Sequence, residues 1–290
     1  MQSITNPEAI ADLVENVGKS LVRVDGGHRW GGTGTVYASD LVVTANHVVE
    51  RDDDIELGLP DGTVAKGTVV GRDPTTGVAL VKTDAKGLVP ATFRGLDGLR
   101  VGHFAVTVAR PGKTVRASLG IIRTLGESYR TPHGGSIDRY LESDADVPPG
   151  WSGGLLVDLD GKGLGLSHRG LVRSGAVALP FVTLERVLVE LRTHGKVRRG
   201  HLGVGVHPVR LPEATAQKVG HGTGVMVHAI EPKSAAEASG LLLGDVLVAL
   251  DGVPVEGPWE LASQLRGKVD VVVKLSIVRA GELKDVEAKV

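Results

Sequence analysis

Several residue types are scarce or missing in this 290-residue chain. It has no cysteine, which excludes disulfides, thiolate catalysis and cysteine-bound zinc and leaves the redox compartment undetermined. Trp, Tyr and Phe occur three times each against 41 glycines, a composition that favours many turns and short strands over helical bundles. The net charge is −1 and no block of like charges occurs, so neither nucleic acid nor an anionic membrane surface is expected as a partner.

Long apolar runs are also missing. Nowhere do roughly 18 apolar residues follow one another, so no membrane span is expected. The first residues include Glu8, Asp12 and Glu15 and contain no apolar core segment, so they do not predict a signal peptide. A chain that was exported and then trimmed would begin in the same way. The compartment is therefore left open between the cytoplasm and an export destination reached after removal of a signal.

The apolar pattern divides the chain into two domains, as its length also favours. Helical spacing predicts a first helix from Pro7 to Val17 with Asn6 as its cap. Short Val, Leu and Ile runs separated by Gly and Pro pairs then continue to about Leu179, a pattern typical of a β-barrel or sandwich. A second helix is predicted from Val182 to Leu191, and the basic linker THGKVRRG after it indicates the domain boundary.

Residues 1–196 and 197–290 are thus the two predicted domains. The second has the size and pattern of a small α+β module. Its strand-like runs lie at 202–206, 224–230, 246–250 and 271–278, and its helical patterns lie at 234–239 and 259–266.

Two segments of the first domain contain residues suited to nucleophilic catalysis. His47 follows an apolar run in LVVTANHVV, although a lone histidine there is more often structural than catalytic. Ser152 lies in PPGWSGGLLV, where glycines permit a sharp turn that exposes a hydroxyl. In such a turn the backbone N–H groups of Gly150 and Ser152 converge and would form an oxyanion hole. A Gly-rich hairpin turn is the plainer alternative.

A third segment, VVGRDPTTGVALVKTD at 69–84, lies between the other two. Taken in order, TANHVV, GRDPTTGVALVK and GWSGGLLV resemble the His, Asp and Ser motifs of trypsin-like serine proteases of the HtrA/Deg family. The resemblance extends from GGTGTVY through VALP and on into the second domain. It implies a mainly β fold, with a two-barrel trypsin-like protease domain followed by a small α+β PDZ domain. It also implies that His47 is the general base and Ser152 the nucleophile.

Two positions depart from the family pattern. Gly77 stands where the family has its catalytic aspartate, and Trp151 replaces the small polar residue that usually precedes the serine. Exchanging that carboxylate for an amide costs about 10⁴-fold in rate, or roughly 5.5 kcal/mol, because the imidazole tautomer and the imidazolium lose their support. A missing side chain leaves space for a water or for a carboxylate such as that of Asp73 or Asp84, but along a strand these side chains need not approach His47, so we do not expect such a rescue. We also expect Gly77→Asp to raise casein hydrolysis by orders of magnitude.

The segment GLGLSHRG corresponds to the substrate-pocket wall of the family. Leu166, Ser167 and His168 are therefore predicted to shape the primary specificity pocket. The other histidines show no paired spacing that indicates a metal site, and the resemblance implies neither a metal nor a nucleotide, so no cofactor is expected.

The second domain resembles an HtrA-class PDZ domain through GHLGVGV at 200–206 and GVMVHAIEPKSAAEASGLLLGDVLVALDGVPV at 224–255. The backbone N–H groups of Leu202, Gly203 and Val204 match the loop that receives the terminal carboxylate of a peptide. Binding would then proceed by strand addition beside this loop. The plainer interpretation of HLGVGV is an apolar strand with glycines for close packing.

Two functions of different classes follow. The first is an HtrA-like serine endopeptidase of protein quality control that acts on unfolded polypeptides, with weak or conditional activity because of Gly77. The second is a catalytically dead pseudoprotease that binds unfolded or C-terminal peptide segments through its PDZ domain or acts as a chaperone. The resemblance further implies a homotrimer assembled through the protease domain.

Overall fold

The computed structural model describes residues 7–171 and 176–290. These residues form two compact units, divided between Val197 and Arg198. The predicted cap Asn6 lies outside the described residues. Within the described part of the chain, no helix combines the length and the apolar character needed to cross a membrane.

The first unit begins with helix α1, Pro7–Gly18. The predicted helix is thus confirmed and is one residue longer than expected. Its apolar face buries Leu13 and Val17 against Val106, Leu155 and neighbouring strand residues. The polar face carries its acidic residues, which explains the amphipathic spacing seen in the sequence.

Six strands close into a first barrel in the order β1-β2-β3-β6-β5-β4. The inward-facing valines, leucines and isoleucine of these strands form one buried cluster, because alternate residues of each strand point into the barrel. Strands β3 and β6 pair so that Ala45 lies opposite Val78, and this pairing defines one edge of the site described below. The strands are β1 Leu21–Asp25, β2 Gly32–Ala38, β3 Leu41–Ala45, β4 Ile55–Gly58, β5 Val64–Asp73 and β6 Val78–Thr83.

A second six-stranded sheet has the order β11-β8-β7-β12-β13-β14. Its outer strands β11 and β14 also lie beside each other, so the sheet curls into a barrel. The predicted two-barrel, mainly β fold is confirmed. The strands are β7 Phe104–Ala109, β8 Arg116–Gly126, β11 Tyr140–Ser143, β12 Leu155–Val157, β13 Gly163–Arg169 and β14 Ala176–Pro180, with a separate pair β9 Tyr129–Arg130 and β10 Ser136–Ile137.

Helix α2, Phe181–His194, closes the first unit and extends beyond the predicted range at both ends. Its buried leucines and Val187 pack into a cluster with residues of both barrels, including Val43 and Leu80 of the first and Leu166 and Leu179 of the second. This shared apolar layer stabilises the contact between the barrels, since each fully buried Leu or Val contributes about 1.5–3 kcal/mol.

The second unit is a sheet of order β15-β16-β17-β19-β20, with β18 paired to β17. Helix α3 and strand β20 were missed by the sequence analysis because α3 buries none of its residues and β20 is mostly exposed and charged, so neither has an apolar period. The elements are β15 Val204–Arg210, α3 Glu213–Val219, β16 Thr223–Ile230, α4 Ala235–Ala238, β17 Val246–Leu250, β18 Val253–Pro254, α5 Pro258–Leu265, β19 Val272–Arg279 and β20 Glu282–Lys289.

Candidate active site and peptide-binding loop

His47 lies in a short 3₁₀ turn, Asn46–Val48, directly after β3. The backbone N–H of Asn46 donates a hydrogen bond to the carbonyl oxygen of Gly77 at 2.7 Å. Because Gly77 immediately precedes β6, the pairing of β3 with β6 holds these two positions side by side. The structure therefore brings His47 next to the position at which the family resemblance predicts the aspartate.

The space beside Gly77 is filled by the imidazole of His168. His168 is buried on β13, and its Nε2–H donates to the Gly77 carbonyl oxygen at 3.1 Å. Its ring meets the ring of His47 edge-on, with the ring centroids 5.1 Å apart. A side chain from the second barrel thus takes up the volume in which a water or a carboxylate would have to lie.

Neither of the nearby acids replaces the missing carboxylate. Asp73 is buried, and its two carboxylate oxygens accept hydrogen bonds from the hydroxyls of Thr75 and Thr76, each at 2.7 Å. These bonds close the turn that leads to Gly77. Asp84 is exposed and follows the far end of β6.

The expectation for Gly77→Asp also needs correction. A Cβ on Gly77 would lie only 2.3 Å from His168 Nε2, and the residue has a φ of +72°, which L side chains adopt rarely. A single substitution therefore cannot place a carboxylate here without displacing a buried ring.

Ser152 lies in a loop that the first barrel holds in place. The Thr33 N–H donates to the Ser152 carbonyl oxygen at 3.1 Å, and the Thr33 hydroxyl donates to the Gly150 carbonyl oxygen at 3.0 Å. The Ser152 Oγ is buried and accepts a hydrogen bond from the Arg169 N–H at 3.1 Å. Since Arg169 follows His168, the serine and His47 both lie at the same end of β13.

No hydrogen bond joins His47 to Ser152 among residues 7–171 and 176–290. In the same residues, neither the Gly150 N–H nor the Ser152 N–H donates one. The neighbouring N–H groups are engaged, since Trp151 donates to Pro148 at 3.1 Å and Gly153 donates to Ser167 at 2.9 Å. Two donors that flank Trp151 are thus left available for an oxygen, as an oxyanion hole requires.

Both site histidines are held toward the neutral form. Burial lowers the pKa of His168 to about 3, and the nearby His47 adds to this effect. The pKa of His47 is also lowered, first by the protein atoms crowded around it and then by His28, whose ring centroid is 5.8 Å away. His47 is nevertheless exposed to solvent. A carboxylate neighbour would have raised the pKa of His47 instead.

The three residues predicted to shape the specificity pocket face two directions. Leu166 is buried in the apolar layer between the barrels, and His168 contacts Gly77 and His47. Ser167 lies between them on the strand, so its side chain faces the other way, into a narrow cavity that Thr107 and Ala178 also line. The pocket assignment stays a prediction, and the cavity that Ser167 borders is the observation that supports it.

Sequence reasoning missed the residues that brace the serine loop and one histidine. The Thr33 hydroxyl oxygen also accepts from the Arg110 N–H at 3.0 Å, and the Thr44 hydroxyl donates to the Thr33 carbonyl oxygen at 2.7 Å. Both threonines lie inside segments already singled out. A threonine in a buried strand, however, gives no signal for which distant loop it binds. His28 lies in an irregular segment and gave no signal either.

The predicted carboxylate-binding loop of the second unit is rigidly held. The Gly203 carbonyl oxygen accepts from the Glu231 N–H at 2.9 Å, and the Leu202 carbonyl oxygen accepts from the Ala236 N–H at 2.8 Å. Gly203 has a φ of +76°, and a Cβ there would lie 2.2 Å from the Cβ of Ser234. Only glycine fits this turn, which is why β15 begins at Val204 and not at Leu202.

Two backbone N–H groups of this loop are free to bind a ligand. Within the described residues, the N–H groups of Leu202 and Gly203 donate no hydrogen bond, and Val204 opens β15 opposite Ile230. Strand β15 ends the sheet order, and α5 lies against it. An edge strand next to a loop of free donors has the form that a peptide can extend as an added strand.

Comparison with known proteins identifies both units. A trypsin-like peptidase domain is matched over residues 32–166 and a PDZ domain over residues 200–290. The chain is 33% identical over 261 residues to a probable periplasmic serine protease do/HhoA-like of Haemophilus influenzae, covering 86% of this chain and 55% of that protein. It is 31% identical over 265 residues to the periplasmic serine endoprotease DegP of Escherichia coli K12, covering 88% and 54%. The chain therefore spans about half the length of the curated relatives it matches.

Solved structures agree with this assignment. The HtrA-type protease AlgW with a tripeptide aligns with a TM-score of 0.74 at 26% identity, covering 96% of this chain and 95% of that chain. The serine endoprotease from Yersinia pestis aligns with a TM-score of 0.76 at 21% identity, covering 96% of each chain, and this likeness bears on the fold alone. The chain belongs to the HtrA family, as a trypsin-like peptidase domain followed by a PDZ domain.

Proposed function

We propose that this protein is an HtrA-like serine endopeptidase that cleaves unfolded polypeptides, with weak or conditional activity. The observation that carries the proposal is the arrangement at the end of β13, where two successive residues contact the two proposed catalytic side chains. The Arg169 N–H donates a hydrogen bond to the Ser152 Oγ, and the His168 ring contacts the His47 ring. The free N–H groups of Gly150 and Ser152 support the same reaction. So do the relatives, which are named as serine endoproteases.

The proposed reaction uses side chains and backbone of this chain alone. The Ser152 Oγ attacks the carbonyl carbon of a peptide bond while its proton passes to a ring nitrogen of His47. The carbonyl oxygen becomes an anion and accepts hydrogen bonds from the N–H groups of Gly150 and Ser152. The imidazolium of His47 then gives its proton to the leaving amine, and a water molecule releases the acyl group by the same steps.

Two features make the activity weak or conditional. Gly77 provides no carboxylate, and the loss of that group corresponds to a barrier increase of roughly 5.5 kcal/mol. The Ser152 Oγ in addition accepts a hydrogen bond from the Arg169 N–H and donates none to His47, so the side chain must turn away from Arg169 toward His47 before it reacts. Breaking one such hydrogen bond costs about 1 kcal/mol, or roughly fivefold in rate, and an event that moves this strand end would remove the cost.

The PDZ domain would deliver substrate by binding C-terminal or unfolded segments. The terminal carboxylate would accept from the loop formed by Leu202, Gly203 and Val204, and the peptide backbone would pair with β15. The exposed edge of β15 and the unengaged N–H groups support this role. Main-chain pairing provides affinity with little dependence on sequence, which suits unfolded polypeptides.

A serine-directed fluorophosphonate probe tests the enzyme, because it reacts only with an activated hydroxyl. We expect slow labelling that mass spectrometry locates at Ser152, together with slow casein hydrolysis. The Ser152→Ala variant is the control and should lose both signals while its PDZ domain still binds peptide. If the unaltered chain and Ser152→Ala are equally unreactive, the endopeptidase proposal is wrong.

One observation favours a second function, a pseudoprotease that binds peptides or acts as a chaperone. Ser152 is buried and its Oγ accepts a hydrogen bond from the Arg169 N–H instead of donating one to His47, while no carboxylate supports His47. Under this alternative the chain suppresses aggregation of an unfolded protein and binds C-terminal peptides. Neither the probe nor casein would then react with it.

We also propose a homotrimer assembled through the protease domain, on the basis of the family resemblance. Light scattering of the full chain should then give three times the 30.2 kDa mass of one chain. A monomer mass at micromolar concentration would contradict it.

A further inference from the structure

We propose that His168 takes over the orienting task of the missing carboxylate, with its Nδ1 accepting a hydrogen bond from a ring N–H of His47. His168 is then a positioning residue, and Ser152, His47 and His168 form one working set. The consequence for turnover rests on the proposed function, whereas the contact between the two imidazoles does not.

The hydrogen bond to Gly77 fixes the tautomer of His168. The Gly77 carbonyl oxygen accepts hydrogen bonds from the Asn46 N–H at 2.7 Å and from His168 Nε2 at 3.1 Å. A carbonyl cannot donate, so the proton must be on Nε2. A neutral imidazole carries one N–H, and therefore Nδ1 of His168 has only a lone pair to offer.

The lone pair on Nδ1 of His168 has no hydrogen-bond partner in the described residues. Among the described residues, His168 Nδ1 is fully buried and makes no hydrogen bond, although buried polar atoms are nearly always paired. An orphaned acceptor in a buried position therefore calls for a donor within reach.

His47 is the donor that the geometry offers. The two ring centroids are 5.1 Å apart and the ring planes are inclined by 78°. An N–H of one imidazole pointing straight at a nitrogen of another gives a centroid separation of about 5 Å, so a small rotation of either ring completes the bond. The other nitrogen of His47 would then have a free lone pair, which is the state needed to take the proton of Ser152.

The charges around the pair determine what this arrangement can and cannot do. After burial, His47 and His133 lower the pKa of His168, whereas the backbone of Gly77 and of Arg169 raises it. His28 lowers the pKa of His47, and none of these neighbours is a carboxylate. A neutral imidazole can fix the orientation of His47 but cannot stabilise its imidazolium as a carboxylate does. Orientation without charge support fits the weak activity proposed above.

Gly77 and His168 also depend on each other. Any Cβ at position 77 would collide with His168 Nε2 at 2.3 Å, so the ring occupies this volume only because the residue is glycine. A glycine at position 77 thus both lacks the carboxylate and leaves room for the imidazole.

The test compares His168→Phe with His168→Asn in the full chain. Phe fills the volume but has no ring nitrogen, whereas Asn keeps a polar atom near the position of Nδ1. We expect Phe to lower kcat about ten- to hundredfold with KM unchanged, and Asn to recover part of that loss. His194→Phe, at the exposed end of α2, is the control and should leave kcat and KM unchanged.

A second measurement does not depend on turnover. Nitrogen-15 NMR of the His47 ring should show one dominant neutral tautomer in the unaltered chain and in His168→Asn, and a mixture in His168→Phe. An unaltered chain without labelling or cleavage would refute the proposed function, while the NMR result would still decide this inference. If the tautomer of His47 is the same in His168→Phe, or if kcat is unchanged in an active chain, His168 is only a filler and the inference is overturned.

Discussion

Gly77→Asp combined with His168→Ala is expected to raise casein hydrolysis strongly, although each change alone should lower it. Alone, the aspartate collides with His168 Nε2, to which its Cβ would be only 2.3 Å away. Alone, the alanine removes the group that orients His47. Together, the deleted imidazole makes room for the carboxylate, which then lies beside the segment that carries His47.

The magnitudes follow from this geometry. Overpacking costs about 1–3 kcal/mol, and a side chain at the left-handed φ of Gly77 adds about 1–2 kcal/mol, somewhat less for aspartate. The single variant Gly77→Asp should therefore melt on the order of 10 °C lower. In the double variant the collision is absent, and a restored carboxylate can contribute up to about 10⁴-fold in kcat/KM.

The assay is cleavage of fluorescent casein, with melting temperature measured in parallel. Gly87→Asp is the matched control because Gly87 has a φ of +73° and nothing within 4 Å of its Cβ position, so it isolates the backbone cost from the collision. If Gly77→Asp alone gains as much activity as the double variant, His168 does not block the site. If the double variant gains nothing although it folds, the defect lies elsewhere, and Trp151 is the first residue to exchange.

Three further predictions concern pH and the PDZ domain. The pKa of His168 falls to about 3 on folding, so below pH about 6.5 this histidine binds a proton in the unfolded chain but not in the folded one. The free energy of unfolding, measured with urea, should therefore be about 2 kcal/mol lower at pH 5 than above pH 7, and His168→Phe should lack this decrease. The neutral ring of His47 is the base and its pKa is lowered, so kcat/KM should decrease with acid only below pH about 6.5. A decrease of kcat/KM that already begins above this pH would contradict the assignment. Gly203→Ala collides with Ser234 and should weaken binding of a C-terminal peptide by at least about tenfold in fluorescence polarisation, whereas Gly220→Ala, with a similar φ and open space, should not.

The fold and most of the candidate site could be predicted because short motifs determine them. His47 and Ser152 each lie beside a run of apolar strand residues, and such runs can be recognised in the sequence alone. Helix α3 and strand β20 could not be predicted, because their exposed, charged residues show no apolar periodicity. The roles proposed for these residues stay predictions that the experiments above test.

The partner of Gly77 could not be predicted for a different reason. Gly77 and His168 are 91 residues apart in sequence, and nothing local at either position indicates that one fills the volume left by the other. From the glycine the sequence indicated only that a carboxylate is missing. From the histidine it indicated only a position in the predicted wall of the specificity pocket. Their complementarity exists only once β6 and β13 from different barrels meet.

A carboxylate in a serine protease does two things at once, orienting the base and stabilising its charge, and this site separates them. The His168 ring has its tautomer fixed by the Gly77 carbonyl oxygen, so it can orient His47 through Nδ1. It is buried and neutral, so it adds no negative charge, and the pKa of His47 is lowered where an aspartate would raise it. A base with a lowered pKa is unprotonated over a wider pH range but takes the serine proton less readily. The full loss of about 10⁴-fold should therefore be recovered in part by orientation, and the remainder measures the charge alone.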